Sequence, residues 1–284
     1  MKNKSAVREL ILRTYAGLIY VLIVSVVLWY GQFTEWPSVL LLSVFYFLSL
    51  REIIPLLSLP KNTYIPAVSL WLTVTVPFMG DLAGNDSGAY VLTILIISNL
   101  ILICCLIFTL FKHGPKEQIK QILGLLYIFL PFLTGYIIVI FYIGQDYFIG
   151  SLFLWGIFIL IWIYDTFAYL TGKFFGKHPL APKISPKKTV EGVIGGWLAV
   201  LISIILIVKY LQIDLDFYTI LLFSLILVFL ATAGDLFESY LKRRRGIKDS
   251  GNLMPGHGGI LDRLDSYYFV ISGIFPILLL SGLW

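Results

Sequence analysis

Apolar stretches long enough to cross a lipid bilayer recur along this chain, and they leave few folds open to it. A helix needs about 20 largely apolar residues to span the hydrocarbon core. Segments 11–30, 37–54, 63–79, 90–111, 121–143, 151–170, 190–208, 217–237 and 266–284 meet or approach that length. In hydrocarbon each backbone N–H and C=O must find its partner within the chain, which a helix achieves alone. The expected fold is therefore all-α, a polytopic membrane protein of about nine transmembrane helices. Arg51, Glu52, Pro55 and Pro60 interrupt the pattern around the second and third segments. Only 13% of the 284 residues are charged, against about 25% in soluble domains.

The cations give an independent reading of topology. Of 21 Lys and Arg residues, all except Lys209 fall before or at the start of the first segment, at the end of the second, or in the loops after the second, fourth, sixth and eighth. The opposite loops carry Glu35, Asp81, Asp86, Asp146, Asp214 and Asp216. Cytoplasmic loops concentrate Lys and Arg, so the N-terminus is expected in the cytoplasm and the C-terminus outside. A bacterial inner (cytoplasmic) membrane is the expected location. The net charge of +5 is thus a matter of membrane topology, and a nucleic-acid partner is not expected. The basic N-terminal flank leads into an apolar run with no small-residue cleavage site, so that run reads as a retained first span. Two parts follow, membrane helices over 1–143 and a chemistry-bearing half over 144–284 with cytoplasmic loops at 171–189 and 238–265. Cys104 and Cys105 read as small apolar side chains. Gly192 and Gly196 have the spacing of close helix packing, with a homodimer contact as the alternative.

The two cytoplasmic loops hold the polar residues that a hydrocarbon-rich chain would otherwise avoid. Asp165 lies inside the apolar limit of its segment, and an ionisable residue at that depth is a functional candidate. Ser185, Lys187 and Lys188 precede a helix beginning near Val190, where free N–H groups and cations favour an anion. Marking the cytoplasmic side is the plainer reading of these lysines. Asp235, Glu238 and Ser239 share one helix face, and Asp262 and Asp265 repeat the three-residue spacing at the start of the last segment. Four carboxylates at two helix ends offer hard oxygen ligands for a Mg²⁺-like ion. The run from Lys242 to Arg245 fits phosphates or anionic headgroups. Gly256, Gly258 and Gly259 around His257 give a ligand room near the backbone. Cations, carboxylates and glycines together point to phosphoryl or nucleotidyl transfer at a membrane surface.

At these residues the chain resembles the phosphatidate cytidylyltransferases (CDP-diacylglycerol synthases). The family pattern is matched by Ser239, Lys242, Arg243, Lys248, Asp249, Gly251, Pro255, His257, Gly258, Gly259, Asp262, Arg263 and Asp265. Met254 replaces the usual Leu, Ile or Phe and fills similar apolar volume. The S-P-K-K-T-x-E-G segment at 185–192 and D-T-x-A-Y at 165–169 are also similar to the family's, with Phe167 where a smaller residue is usual. The resemblance implies CTP + phosphatidate → CDP-diacylglycerol + diphosphate, with Mg²⁺ and a second cation as a further expectation. It implies Asp235, Glu238, Asp262 and Asp265 as metal ligands. Asp235, Asp262, Asp265, Lys248 and His257 become the catalytic candidates. CTP and the lipid phosphate are expected to meet Ser185, Lys187, Lys188, Lys242, Arg243, Arg263, Asp165, Asp249, Gly258 and Gly259. The alternatives are a related CTP-dependent lipid kinase, a cytidylyltransferase for another lipid phosphate, and a lipid or ion transporter using Asp165 and Asp235. Transport favours interrupted helices in both halves, whereas the polar residues here gather in one.

Overall fold

The computed structural model describes residues 2–83, 114–141, 148–254 and 258–281, with isolated helical positions between 97 and 112. Eight α-helices lie within the described residues: α1 (Lys2–Tyr30), α2 (Trp36–Leu57), α3 (Tyr64–Ala83), α4 (Pro115–Phe141), α5 (Phe148–Phe175), α6 (Val190–Tyr210), α7 (Phe217–Arg244) and α8 (Leu261–Ser281). Among those residues, five stretches are long and apolar enough to cross a membrane: Trp36–Leu57, Pro115–Val139, Gly150–Phe175, Val190–Tyr210 and Phe217–Arg244. Helices α1, α3 and α8 occupy the expected first, third and last segments. Most of the fourth lies outside the described residues, so the structure supports an all-α membrane protein without fixing a count of nine.

One element departs from the helical expectation. After α5 the chain forms an antiparallel hairpin, β1 (Pro179–Ala181) and β2 (Ser185–Thr189), with Pro179 opposite Thr189 and Ala181 opposite Ser185. Thr189 then caps α6, its hydroxyl accepting the Gly192 N–H at 3.1 Å, as a threonine preceding a helix favours. Asp216 does the same for α7 through the Thr219 N–H at 3.0 Å.

The second segment is also less interrupted than its sequence reads. Helix α2 continues through Arg51, Glu52 and Pro55 to Leu57, and Ser58 ends it in the left-handed conformation at φ 53°. A proline one turn from a helix end sacrifices little bonding. Glu52 is buried here because it serves another helix, as shown below.

The core is aromatic and lies between α2, α4, α5 and α8. Phe158 stacks on Tyr267 with centroids 4.3 Å apart, and the Tyr46 hydroxyl donates to Ala67 O at 2.8 Å. On α6 and α7 an outward stripe of Leu198, Ile202, Leu206, Leu222, Leu225 and Phe229 is exposed, as expected of helices whose solvent on that side is lipid. Gly192 and Gly196 face α5 of the same chain, where a Cβ would meet Ala168 O at 2.7 Å and the Tyr164 ring at 2.7 Å. Their spacing thus serves internal packing.

Candidate active site

The polar residues converge where α7 and α8 touch, beneath the hairpin and the loop over 245–260. Gly234 makes that contact possible: a Cβ there would sit 2.4 Å from Asp265 O. The close approach brings Asp235 and Glu238, on the turn that follows, against the first turn of α8. Asp265 lies in the negative field of Asp235, Glu238 and Asp165.

Two lysines answer these carboxylates. Lys188, half-buried on β2, forms an ion pair with Asp235, whereas Lys187 is exposed. Burial alone would push the Lys188 ammonium down, but the adjacent Asp235 carboxylate outweighs it and holds lysine above its ordinary range. Lys242 is buried and bridges two acids, donating to Glu238 Oε2 at 2.9 Å and Asp262 Oδ1 at 2.5 Å. Its expected role toward a phosphate thus begins from an internal position. Ser239 donates to Asp235 Oδ1 at 3.2 Å, consistent with their shared helix face.

Asp262 organises the loop. Its Oδ2 accepts from Ser250 N at 2.9 Å, Ser250 Oγ at 2.9 Å and Gly259 N at 2.8 Å. Burial alone would raise this carboxyl; the bonds from Lys242, Gly259 and Ser250 outweigh it and hold it below its ordinary range. Gly258 sits at φ +86°, where a Cβ would lie 2.5 Å from Asp262 Oδ2 and 3.2 Å from the Asp249 Cβ, so glycine is required there twice over. Met254 N donates to Gly258 O at 2.9 Å and closes the turn. His257 lies outside the described residues.

Arg243 ties the loop to the hairpin by donating to Ile247 O at 3.1 Å and Ile184 O at 3.4 Å. Ser185 begins β2 beside this tie. Lys248, Asp249 and Arg263 are exposed around the loop, and Arg263, Asp165, Asp262 and Asp265 line one cavity.

Sequence reasoning missed Glu52. Its Oε1 accepts Ile260 N at 3.0 Å, and its Oε2 accepts Leu261 N at 2.8 Å and lies 2.9 Å from Ser250 Oγ, whose one proton it shares with Asp262 Oδ2. A carboxylate from α2 thus satisfies free N–H groups at the start of α8 and sits at the positive end of its dipole. From the other side Arg245 donates to Leu56 O at 2.9 Å and Pro55 O at 2.6 Å, capping the C-terminus of α2. The only sequence signal was an acid–base pair, Arg51-Glu52, at the edge of an apolar run.

The donor set suits a hard divalent cation. Glu238 Oε1 is buried with no hydrogen-bond partner, and Asp265 feels the charges of Asp235, Glu238 and Asp165. Among the described residues no three acids, histidines or cysteines gather closely enough to form a ready ligand cluster; Lys188 pairs with Asp235, and Lys242 with Glu238 and Asp262.

Comparison with known proteins bears on the family. Residues 11–281 match the model of the cytidylyltransferase family. A phosphatidate cytidylyltransferase of Staphylococcus saprophyticus is 31% identical over 235 residues, covering 83% of this chain and 86% of that protein. Proteins of the same name from Staphylococcus haemolyticus and Staphylococcus aureus are 47% and 46% identical over 124 and 125 residues. Those two alignments cover 44% of this chain and about half of each relative, 47% and 48%. A family match running nearly end to end, with a relative 31% identical over most of both chains, establishes that the chain belongs to the cytidylyltransferase family.

Proposed function

We propose that this protein is a phosphatidate cytidylyltransferase, transferring the cytidylyl group of CTP to phosphatidate with release of diphosphate. The observation that carries the reading is the facing of Asp235 and Glu238 on α7 with Asp262 and Asp265 on α8, edged by Lys188 and Lys242. The phosphate of phosphatidate is already an anionic nucleophile, so neither a covalent intermediate nor a strong base is required. An oxygen of that phosphate attacks the α-phosphorus of CTP, and the bond from that phosphorus to the bridging oxygen of diphosphate breaks. The barrier lies in bringing two polyanions together and in charge building on the leaving oxygen.

The chain's own residues address both. Lys187 on the hairpin, Arg243 in the last turn of α7 and Lys248 on the loop are exposed, at the approach expected for a water-soluble triphosphate. Asp235, Glu238, Asp262 and Asp265 would hold a divalent cation, Mg²⁺ in this reading. When bound it supplies charge neutralisation and alignment of phosphate oxygens. Lys188 and Lys242, held against those acids, stand ready to turn toward phosphate. The gathering of Lys and Arg in these loops supports a cytoplasmic position for this face, where CTP is found.

The test is to incubate purified protein with phosphatidate and CTP labelled at the α-phosphate, and separately with diacylglycerol or a polyprenol and CTP labelled at the γ-phosphate. The first should yield labelled lipid and equimolar diphosphate, the second no labelled lipid. A γ-labelled lipid with release of CDP would make the protein a kinase instead.

A further inference from the structure

A cavity of about 190 Å³ is lined by residues of α1, α5 and α8. Its polar lining includes Asp165, Arg263 and Asp265, and its apolar lining includes Val21, Phe158 and Trp162. Tyr20 of α1 also lines it. The Tyr20 ring is fixed edge-on to Trp162, with centroids 6.0 Å apart. Its side chain is only 8% exposed, yet its hydroxyl has no hydrogen-bond partner. Arg263 and Asp265 are charges that act on that hydroxyl. Tyr267, in the same lining, also has a buried hydroxyl without a hydrogen-bond partner, and two such groups on one cavity point to a ligand or solvent they were shaped to meet. On either side of Tyr20 in sequence, Leu18, Ile19 and Leu22 are exposed by 60%, 54% and 64%, as befits a helix flank against lipid.

We infer that Tyr20 is a substrate-contacting residue: its hydroxyl, with Arg263, holds the phosphate monoester of the lipid substrate, whose acyl chains leave through the seam between α1 and α5. This deepens the proposed function and rests on it. The lipid rather than the nucleotide is assigned here because the lining from α1 and α5 is largely apolar and α1 exposes Leu18, Ile19 and Leu22 beside it. The exposed cations Lys187, Arg243 and Lys248 lie instead on the hairpin, the end of α7 and the loop. A phosphate needs donors, and a guanidinium beside a neutral hydroxyl supplies them. The first helix thus becomes part of the site, although nothing in its sequence beyond apolarity distinguished it.

Tyr20→Phe removes one oxygen and keeps the ring. The expected result is a rise in KM for phosphatidate of about ten- to a hundredfold, an unchanged KM for CTP, and a Tm in detergent equal to or above that of the wild type. The stability arm matters, because a hydroxyl of purely structural use would lower Tm when lost. An unchanged lipid KM, or an equal rise in both KM values, overturns the assignment. Direct binding of short-chain phosphatidate against short-chain diacylglycerol separates this inference from the reading it rests on. Wild-type protein that prefers phosphatidate but makes no CDP-lipid would refute the reaction and leave the phosphate seat standing. Wild-type protein without that preference, or Tyr20→Phe protein that retains it in full, would refute the seat.

Discussion

Lys242 is the residue on which the site's electrostatics turn, since one buried ammonium serves Glu238 and Asp262 together. Removing it strands a fully buried carboxylate, and breaking such a pair costs about 3–5 kcal/mol. Lys242→Met should therefore lower Tm sharply in detergent, and Glu238→Gln added to it should recover part of the loss. A Lys242→Met protein that melts like wild type would show that the acids find their balance elsewhere. Asp262 carries a pH consequence. Its folded pKa lies below its unfolded value, so its contribution is present above about pH 4 and is lost as pH falls through the folded pKa. The amides of Ser250 and Gly259, which donate to it, should stay protected from hydrogen exchange down to that range and open below it. Protection lost well above pH 4 would contradict this. Asp235→Asn and Asp262→Asn should each reduce turnover to background while leaving the protein folded, read by CDP-lipid formation beside Tm. Near-wild-type activity at ordinary Mg²⁺ would remove that residue from the proposed metal site.

The tie between α2 and α8 is where the structure adds most to the sequence. Glu52→Gln keeps the shape but replaces one accepting oxygen with a donor that faces backbone N–H groups. A charge-assisted bond is worth about 1.5–3 kcal/mol, so turnover should fall roughly tenfold or more as Asp262 loses its fixed position. Faster amide exchange at Ile260 and Leu261 should accompany the fall, and unchanged exchange there would show that the cap is not formed. The helices around this tie were legible because bilayer length and positive charge leave clear traces, and Val190 and Leu261 begin their helices where Thr189 and the paired aspartates indicate. The acids of α7 and α8 were legible because helical spacing puts Asp235 and Glu238 on one face. Glu52 was not, because its partners are some two hundred residues away and its neighbourhood reads as the frayed end of a span. The hairpin escaped notice because β1 and β2 are too short for alternation to show against a proline- and lysine-rich loop. Lys242 matched the family motif, but burial gave it two acids as immediate partners, which no motif encodes.

At the scale of the molecule, the placement of cations argues for an N-terminus in the cytoplasm and both polar loops beside it. In a background lacking Cys104 and Cys105, Asn85→Cys should react with an impermeant thiol reagent on intact cells and Leu180→Cys should not. The reverse pattern would invert the topology and move the site to the far side of the membrane. Proposing the regions before and after residue 143 as separate parts is useful for locating chemistry, but Glu52 and Arg245 set a limit on treating them as interchangeable modules. Glu52 holds Ser250, Ile260 and Leu261 from α2, and Arg245, at the start of the loop, binds the last turn of α2 in return. A hybrid joining the second region of one family member to the first region of another would inherit the reacting groups without the latch that aligns them. Its builder would have to carry the end of α2 across with the loop, because those two pieces, far apart in the chain, behave as one inherited part.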